Sequence, residues 1–396
     1  EMSNIPSFSN TEVAFKAKSS GELKFTSLIF KMMGSPGLVN SLTGLTTFAL
    51  KIHLPIQWII KKTIFKQFCG GEKIQECSST YESLRKNNIE AILDYSVEGQ
   101  SKEADFDKVR DELLQLVSNA KKHAKVPTTC MKVTGIASFS ILEKVSANTE
   151  LKEIEKQEYN RVIQRLEAIC AKAFENGVKI YIDAEETWIQ VAIDRLAEVM
   201  MQKYNGKEAI VYTTLQMYRH DRLNYLQVLI EKAINHNFFL GVKIVRGAYL
   251  EKENERANQK GYNTPMQPSK LSTDNDYNAA LKLIMNNIQK VELCAGTHNE
   301  ESAKLLCELM QEKGLDNSYK GIFFSQLYGM SDNISFNLAH AGYNVSKYLP
   351  YGPVRDTLPY LIRRARENTS IAGQMGRELT LITSELSRRK NQPTKK

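Results

Sequence analysis

The stretch EYNRVIQRLEAICAKAFENG (158–177) runs directly into VKIYIDAEE (178–186), and this succession decides the fold class. In the first part, apolar residues recur at three- and four-residue spacing with charged residues opposite them, which predicts a helix. Gly177 is typical of a residue that stops a helix. The second part is a short apolar run ending in acidic residues, which predicts a buried strand. A helix that leads straight into a buried strand indicates an α/β protein.

The same alternation of strand-like and helix-like segments extends along the chain in both directions. The eight predicted strands are IEAILDYSVEG (89–99), TTCMKVTGI (128–136), VKIYIDAEE (178–186), EAIVYTTLQ (208–216), FLGVKIVRGAY (239–249), VELCAGTH (291–298), GIFFSQLYGM (321–330) and NVSKYLPYGP (344–353). Helical stretches such as 105–124 and 299–314 lie between them. Eight such units predict a (β/α)8 barrel, a parallel sheet surrounded by helices. An open doubly wound sheet is the alternative, but no glycine-rich phosphate turn follows the first strand, so the barrel is favoured.

Composition and charge narrow the class of protein. Hydrophobic residues make up 42% and charged residues 25%, which is typical of a globular protein and excludes a disordered chain. Without Arg388, Arg389, Lys390, Lys395 and Lys396, the formal charge of +8 falls to +3. We therefore interpret the basic end as a solvated tail and expect no nucleic-acid partner. The six cysteines form no CxxC pair, which favours a reducing compartment and argues against a zinc site.

The chain is predicted to have three parts. These are a helical arm over 1–85, the barrel over 86–375, and a C-terminal helix end with a basic tail over 376–396. The most apolar stretch, Leu42 to Ile60, belongs to the arm and is interrupted by Lys51, His53 and Pro55, so it is not expected to span a membrane. A core helix is the favoured interpretation, and a helix lying on a membrane surface is the alternative.

Polar residues gather at the carboxyl ends of the predicted strands, where a parallel barrel builds its sites. They are Lys132 (placed inside the second strand), Asp183, Glu185, Glu186, Thr213, Thr214, Gln216, Lys243, Arg246, Tyr249, Thr297, His298 and Tyr348. Taken singly, each fits an ordinary salt bridge or helix cap. Together they predict a site, because buried charges are costly unless they are paired or used. Gly247, in VRGAY, fits either a close backbone approach to a ligand or a plain tight turn.

The segment DTLPYLIRRARENTS (356–370) predicts a helix with Pro359 near its first turn. The side chains of Arg363 and Arg364 should diverge by about 100° around it, so both reach one anion only if they fold together. From the residues by themselves, a solvated basic face and a packed Tyr360 are favoured.

Several motifs in a fixed order resemble proline dehydrogenase. They are YIDAEE (181–186), VKIVRGAYLEKE (242–253), THNE (297–300), QLYGMSD (326–332) and KYLPYGPV…LPYLIRRARENTS (347–370). The resemblance covers about Asp94 to Ser370. It implies a (β/α)8 barrel with non-covalent FAD that oxidises L-proline to Δ1-pyrroline-5-carboxylate and passes electrons to a quinone, with no metal. It also implies a stand-alone, monofunctional enzyme, cytoplasmic or, in a eukaryote, mitochondrial, with a peripheral contact at the inner membrane. Hydroxyproline dehydrogenase on the same fold is the alternative.

The resemblance also assigns residues to roles. Lys132, Arg363 and Arg364 match the clamp on the substrate carboxylate, and Asp183 and Lys243 are assigned to the catalytic group. Tyr249, Tyr348 and Tyr360 match aromatic residues around the substrate. The flavin positions are Ala184, Gln216, Val245, Arg246, Gly247, Ala248, Thr297, His298 and Glu367. The chain departs from the family at Lys243, where many members have arginine, at Arg246, where many have lysine, and at Leu250, where some have tryptophan.

Overall fold

The computed structural model describes residues 5–370 and 372–391, with side chains for 5–366 and 376–391. The strands are β1 (Ile89–Tyr95), β2 (Thr128–Met131), β3 (Lys179–Ile182), β4 (Val211–Gln216), β5 (Leu240–Val245), β6 (Val291–Gly296), β7 (Ile322–Leu327) and β8 (Val345–Tyr351). They follow one another in chain order around a closed barrel, and the hydrogen-bonded pairs from β1 to β7 run parallel. The prediction of a (β/α)8 barrel and its eight strands is confirmed.

Helices connect and surround the strands. The α-helices are α1 (Thr11–Ala14), α2 (Ser20–Met33), α3 (Pro36–Lys51), α4 (Gln57–Ile60), α5 (Lys66–Phe68), α6 (Ser78–Arg85), α7 (Glu103–His123), α8 (Phe139–Ser146), α9 (Glu153–Asn176), α10 (Thr187–Tyr204), α11 (Arg222–Asn235), α12 (Leu250–Lys260), α13 (Lys270–Asn286), α14 (Glu300–Glu312), α15 (Asp332–His340), α16 (Val354–Ser370) and α17 (Ala372–Asn391). A π-helical segment, Lys61–Phe65, joins α4 to α5, and 3-10 turns lie at Ile74–Cys77 and Val133–Gly135.

Helix α9 illustrates why the sequence pattern is informative. Its buried face includes Val162, Leu166, Ile169 and Ala173, which recur at three- and four-residue spacing as predicted. Gly177 caps this helix with φ of 62°, a left-handed conformation that glycine adopts without the penalty of a Cβ atom. The helix and its predicted stop are both confirmed.

Two of the element boundaries that differ from prediction bear on the candidate site. Strand β2 ends at Met131, so Lys132 follows the strand instead of lying inside it. The reason is a tight turn, in which the N–H of Gly135 donates to the carbonyl of Lys132 at 3.0 Å. Helix α16 begins at Val354, two residues before the predicted segment, and Pro359 therefore lies inside the helix.

The chain divides into two compact units. One contains residues 92–325, and the other combines residues through Ala91 with residues from Gln326 onward. In the second of these units, Thr11 Oγ1 of α1 donates to Glu385 of α17 at 3.0 Å. Arg388 and Arg389 both bind Glu385, and Arg389 also donates to the carbonyl of Phe15 at 2.9 Å. The prediction of a solvated basic tail is therefore wrong for these two arginines, while residues 392–396 lie outside the described part of the chain.

The apolar stretch from Leu42 to Ile60 does not form a core helix, and that interpretation is wrong. Helix α3 ends at Lys51, His53 has φ of 59°, and α4 begins only at Gln57. Phe48 and Trp58 are 60% and 61% exposed. Within the described residues, none of the helices has an apolar run long enough to cross a bilayer.

Candidate active site

Four charged side chains form a buried chain toward the carboxyl ends of β1, β2, β3 and β5. The Nζ atom of Lys132, which follows β2, lies 3.7 Å from a carboxylate oxygen of Asp94 in β1. The same Nζ atom lies 3.5 Å from one carboxylate oxygen of Asp183, which follows β3. The other carboxylate oxygen of Asp183 accepts a hydrogen bond from Lys243 of β5. Each of these side chains is between 2% and 12% exposed. We call the four residues the ion chain, since negative and positive groups alternate along it.

Electrostatics keep both lysines of the ion chain charged. Burial disfavours the ammonium form of Lys132, but Asp94 and Asp183 outweigh burial and raise the pKa of this lysine well above its ordinary value. Burial likewise disfavours the charged form of Lys243, but Asp183, together with Cys130 and Cys294, raises the pKa of this lysine above its ordinary value. Two carboxylates and two ammonium groups carry no net formal charge, which is the condition under which buried ions are tolerated.

Asp94 is a member of the ion chain that the sequence-based assignment missed. Its side chain accepts a hydrogen bond from Ser96 Oγ at 2.7 Å and contacts the Sγ of Cys130 at 3.6 Å. Carboxylate oxygens of Asp94 and Asp183 and the Sγ of Cys130 lie within 4.8 Å of one another, a spacing that is also found among the ligands of a metal ion. Here the Lys132 ammonium group binds both carboxylates. The available signal was an acidic residue in an otherwise apolar strand end, ILDY (92–95).

The acidic pair after β3 anchors the surrounding loops. Thr134 donates to Glu185 from its N–H at 3.2 Å and from its hydroxyl, while the N–H of Glu185 donates to Gln190 at 2.7 Å. Burial, followed by repulsion from Glu186, raises the pKa of Glu185 to about 8. Glu186 instead pairs with Lys252 at 2.8 Å.

Gln216, at the end of β4, is held at both ends of its amide. Its Nε2 donates to the carbonyl of Glu185 at 2.9 Å, and its Oε1 accepts from the N–H of Ala248 at 3.4 Å. The N–H of Met217 donates to the carbonyl of Val245 at 2.8 Å. The end of β4 therefore fixes the positions of the loops after β3 and β5.

Gly247 has an explanation within the protein itself. Its φ is 143°, and a Cβ atom placed there would lie 2.5 Å from the ring of Tyr218. Any larger residue would have to displace that ring. The structure therefore shows a close approach of Gly247 to a side chain of the protein, and the predicted approach to a ligand stays a prediction.

Arg246 joins the loop after β5 to the start of α14. Its guanidinium group donates to Asp274 at 2.6 Å, to Thr297 Oγ1 at 2.8 Å and to Ser302 Oγ at 2.9 Å. It also stacks over the ring of Tyr277, 4.3 Å from its centroid. The hydroxyl of Thr297 accepts from the N–H of Asn299, the residue that caps α14. Arg246 and Thr297, both predicted flavin residues, are in direct contact.

The remaining predicted residues of this unit lie on the same loops. Tyr249 is 9% exposed and directly precedes α12. Ala184, Val245, Ala248 and His298 are half-buried, so a ligand could reach them.

The other unit brings together a second group of predicted residues. The rings of Tyr348, in β8, and Tyr360, in α16, are stacked with centroids 6.5 Å apart. The guanidinium group of Arg364 lies 5.0 Å from the centroid of Tyr360 and is part of a side chain only 6% exposed. Arg363 is half-buried. A solvated basic face is therefore wrong for Arg364, while the packed position of Tyr360 is confirmed. Glu367 lies outside the residues whose side chains are described.

Features of the 92–325 unit fit a bound flavin. Two buried atoms at the end of β4, Thr214 Oγ1 and Arg219 Nη1, have no hydrogen-bond partner among the described residues. Buried polar atoms without partners are rare in proteins, and a polar ligand would satisfy them. The half-buried loops after β3, β5 and β6 supply further backbone and side-chain donors. The donor set is therefore suited to the polar edge of a flavin.

Comparisons with known proteins agree with this geometry. The family model described as Proline dehydrogenase matches residues 77–377. A mitochondrial proline dehydrogenase 1 from Dictyostelium discoideum is 33% identical, covering 96% of this chain and 74% of the relative. A hydroxyproline dehydrogenase from Xenopus laevis is 32% identical, covering 97% of this chain and 90% of the relative.

The fold has close counterparts among solved structures. Proline utilization A from Bdellovibrio bacteriovorus, solved after inactivation by N-propargylglycine, aligns with a TM-score of 0.69 at 21% identity. The match covers 91% of this chain and 36% of the solved one, so the chain spans about a third of that protein's length. The match to the family model and the sequence similarity along most of this chain show that the chain belongs to the proline dehydrogenase family and is an oxidoreductase of proline catabolism.

Proposed function

We propose that the chain oxidises L-proline to Δ1-pyrroline-5-carboxylate with non-covalently bound FAD and passes the electrons to a quinone. The observation that carries the proposal is the ion chain, which holds two charged lysines at the carboxyl ends of the barrel strands. Cations held in place before a ligand arrives suit an anionic substrate group, since little reorganisation is needed on binding. For a eukaryotic source we propose a mitochondrial location, as printed in the name of the Dictyostelium relative.

The substrate carboxylate is proposed to bind Lys132, Arg363 and Arg364. Guanidinium groups bind carboxylates through two parallel hydrogen bonds, and an ammonium group adds a point charge. Asp94 and Asp183 keep Lys132 charged and in place. Asp183 and Lys243, the proposed catalytic pair, hold each other through their direct hydrogen bond.

The reaction removes a hydride from C5 of proline and a proton from its nitrogen, which leaves a C=N double bond. When bound, the flavin supplies the redox chemistry by accepting the hydride. The chain contributes by fixing the ring and excluding water. Hydride loss is easier from the neutral amine, and the protonated imine that results gives its nitrogen proton to bulk solvent after release. The stacked rings of Tyr348 and Tyr360, which are 8% and 5% exposed, provide an apolar wall suited to the ring carbons.

The purified protein is expected to be yellow, and anaerobic proline should bleach its flavin absorbance. Denaturation should release the flavin into solution, because the binding is non-covalent. Trapping the product with o-aminobenzaldehyde tests for Δ1-pyrroline-5-carboxylate, and reoxidation of the reduced enzyme by a soluble quinone analogue tests the acceptor. A colourless protein, or a yellow one that proline does not reduce, would contradict the proposal.

Hydroxyproline is the second candidate substrate because of the Xenopus relative's printed activity. The buried Tyr348 ring favours proline, since an added hydroxyl group beside it would need space and a hydrogen-bond partner. We expect Tyr348→Ser to weaken proline use by about 1–3 kcal/mol, a typical value for one pocket contact. The ratio of kcat/KM for proline over trans-4-hydroxyproline should fall.

Steady-state kinetics on both substrates with a dye acceptor measure this ratio. Tyr348→Phe is the matched control, because it keeps the ring and removes only the hydroxyl. An unchanged or higher ratio in Tyr348→Ser would show that Tyr348 does not set the choice of substrate.

A further inference from the structure

The arm exposes an unusual number of large apolar side chains. Of those that are exposed within the described chain, ten fall in residues 28–59 and nine in all the rest. The ten are Leu28, Met32, Leu38, Leu42, Leu45, Phe48, Ile52, Leu54, Trp58 and Ile59. Scattered exposed apolar residues are ordinary, but a concentration of them marks a surface that meets another apolar phase. We call these ten residues the arm face.

Helix α3 and its C-cap carry half of the arm face. Leu38, Leu42, Leu45, Phe48 and Ile52 recur at three- and four-residue spacing and fall within an arc of about 120° on a helix of 3.6 residues per turn. They are between 39% and 65% exposed. The helix contacts α2 and α16, and it buries Val39 beside the stripe and the small side chain of Ala49 within the same arc. These contacts hold the helix in place while the five large apolar side chains of the stripe stay exposed.

Within the stretch of chain that carries the arm face, the charged residues have a single sign. Between Glu22 and Glu72 the sequence contains six lysines and no aspartate or glutamate. All six lysines are exposed. Lys61 is partly neutralised by Glu72, at 2.7 Å, whereas the ammonium group of Lys62 lies 5.7 Å from the ring centroid of Trp58. Apolar groups bordered by lysines, with a tryptophan among them, are the pattern of a helix that lies in a membrane interface.

We propose that the arm face docks on the surface of an anionic phospholipid bilayer, with α3 lying in the interface. Charge complementarity selects this occupant. Two copies of the face brought together would place lysines of both chains, such as Lys51 and Lys62, close to one another, whereas anionic headgroups attract lysines. Docking at a bilayer would suit a lipid-soluble quinone acceptor, but the surface itself is inferred without reference to the reaction.

The first test is co-sedimentation of the full-length protein with vesicles. Binding to phosphatidylcholine vesicles containing phosphatidylglycerol should exceed binding to phosphatidylcholine alone and should weaken as salt is added. Leu45→Gln with Phe48→Gln should reduce binding by about tenfold for each side chain, since each loses most of its apolar transfer energy. The matched control is Ile154→Gln with Leu271→Gln, which alters two side chains that are 71% and 69% exposed outside the arm. Lys51→Gln with Lys62→Gln should remove part of the preference for anionic lipid.

A second readout uses the two tryptophans of the chain, Trp58 and Trp188. In a Trp188→Phe background, anionic vesicles should shift the emission of Trp58 to shorter wavelength. No shift, or equal vesicle binding by the Leu45→Gln/Phe48→Gln variant and the wild type, would overturn the proposal. The proposal would also be overturned if the wild type formed an oligomer without lipid and did not bind vesicles, while the Leu45→Gln/Phe48→Gln variant was monomeric. Both readouts are independent of turnover, so their failure would leave the proposed oxidation untouched.

Discussion

Replacing Arg364 by methionine is expected to lower kcat/KM for proline. The loss of transition-state stabilisation should be about 2–5 kcal/mol, the typical cost of truncating one partner of a buried charge pair. This corresponds to a loss of roughly 30-fold to several thousandfold. Arg364 is only 6% exposed and stacks on Tyr360, so its guanidinium group is oriented before a substrate arrives. A methionine keeps most of the apolar volume and removes the charge, which isolates the electrostatic contribution.

Arg366→Met is the matched control, since Arg366 is an exposed residue of the same helix and should tolerate the change. Steady-state kinetics are to be measured together with the flavin content of each variant. If Arg364→Met retains FAD and the kcat/KM of the wild type, the assignment of Arg364 to the substrate clamp is wrong.

The second large effect is expected for Lys132→Met. Asp94 and Asp183 would lose the cation between them, and breaking a buried ion pair typically costs about 3–5 kcal/mol in the free energy of unfolding. Proline use should fall as well, because the proposed clamp loses its ammonium group. Chemical denaturation monitored by fluorescence measures the first effect, and kinetics on the folded fraction measure the second.

A double variant tests whether the ion chain acts as a unit. Asp94→Asn combined with Lys132→Met should be less destabilised than the sum of the two single changes, because the uncompensated carboxylate is removed. The control is Lys108→Met, which breaks a surface pair with Asp105, and it should cost no more than about 1 kcal/mol. Additive effects of Asp94→Asn and Lys132→Met would show that the two side chains are not coupled.

The positions of the strands were predictable, because short apolar runs alternate with helix-period segments and glycines mark the stops. Gly177 and the buried face of α9 show this at the level of single residues. What was not predictable was the environment of a given side chain. Arg363 and Arg364 are neighbours of the same type, yet one is half-buried and the other packs on an aromatic ring. That difference depends on the tertiary neighbours of α16.

Asp94 and the arm also show that a sequence pattern does not specify whether a side chain is buried or exposed. Besides a local hydrogen bond from Ser96, Asp94 contacts Cys130 and Lys132, which lie far along the chain, so its role depends on strands that become neighbours only in the barrel. The stretch containing Phe48 and Trp58 has the composition of a core, and only its packing reveals that these side chains are exposed. Apolar periodicity specifies a helix, but not whether its stripe faces protein or another phase.

The pairing of α1 with α17 has a consequence for biosynthesis. Thr11 meets Glu385 across 374 positions of sequence, so the early segment leaves the ribosome long before its partner is made. Closing so long a loop is slow, and contacts that close it cannot assist the early steps of folding. While translation continues, the nascent arm, with its acid-free run of lysines and apolar residues, must remain incompletely packed. This is the interval in which a nascent chain is most open to aggregation, and in which chaperones or a lipid surface would have the greatest effect on yield.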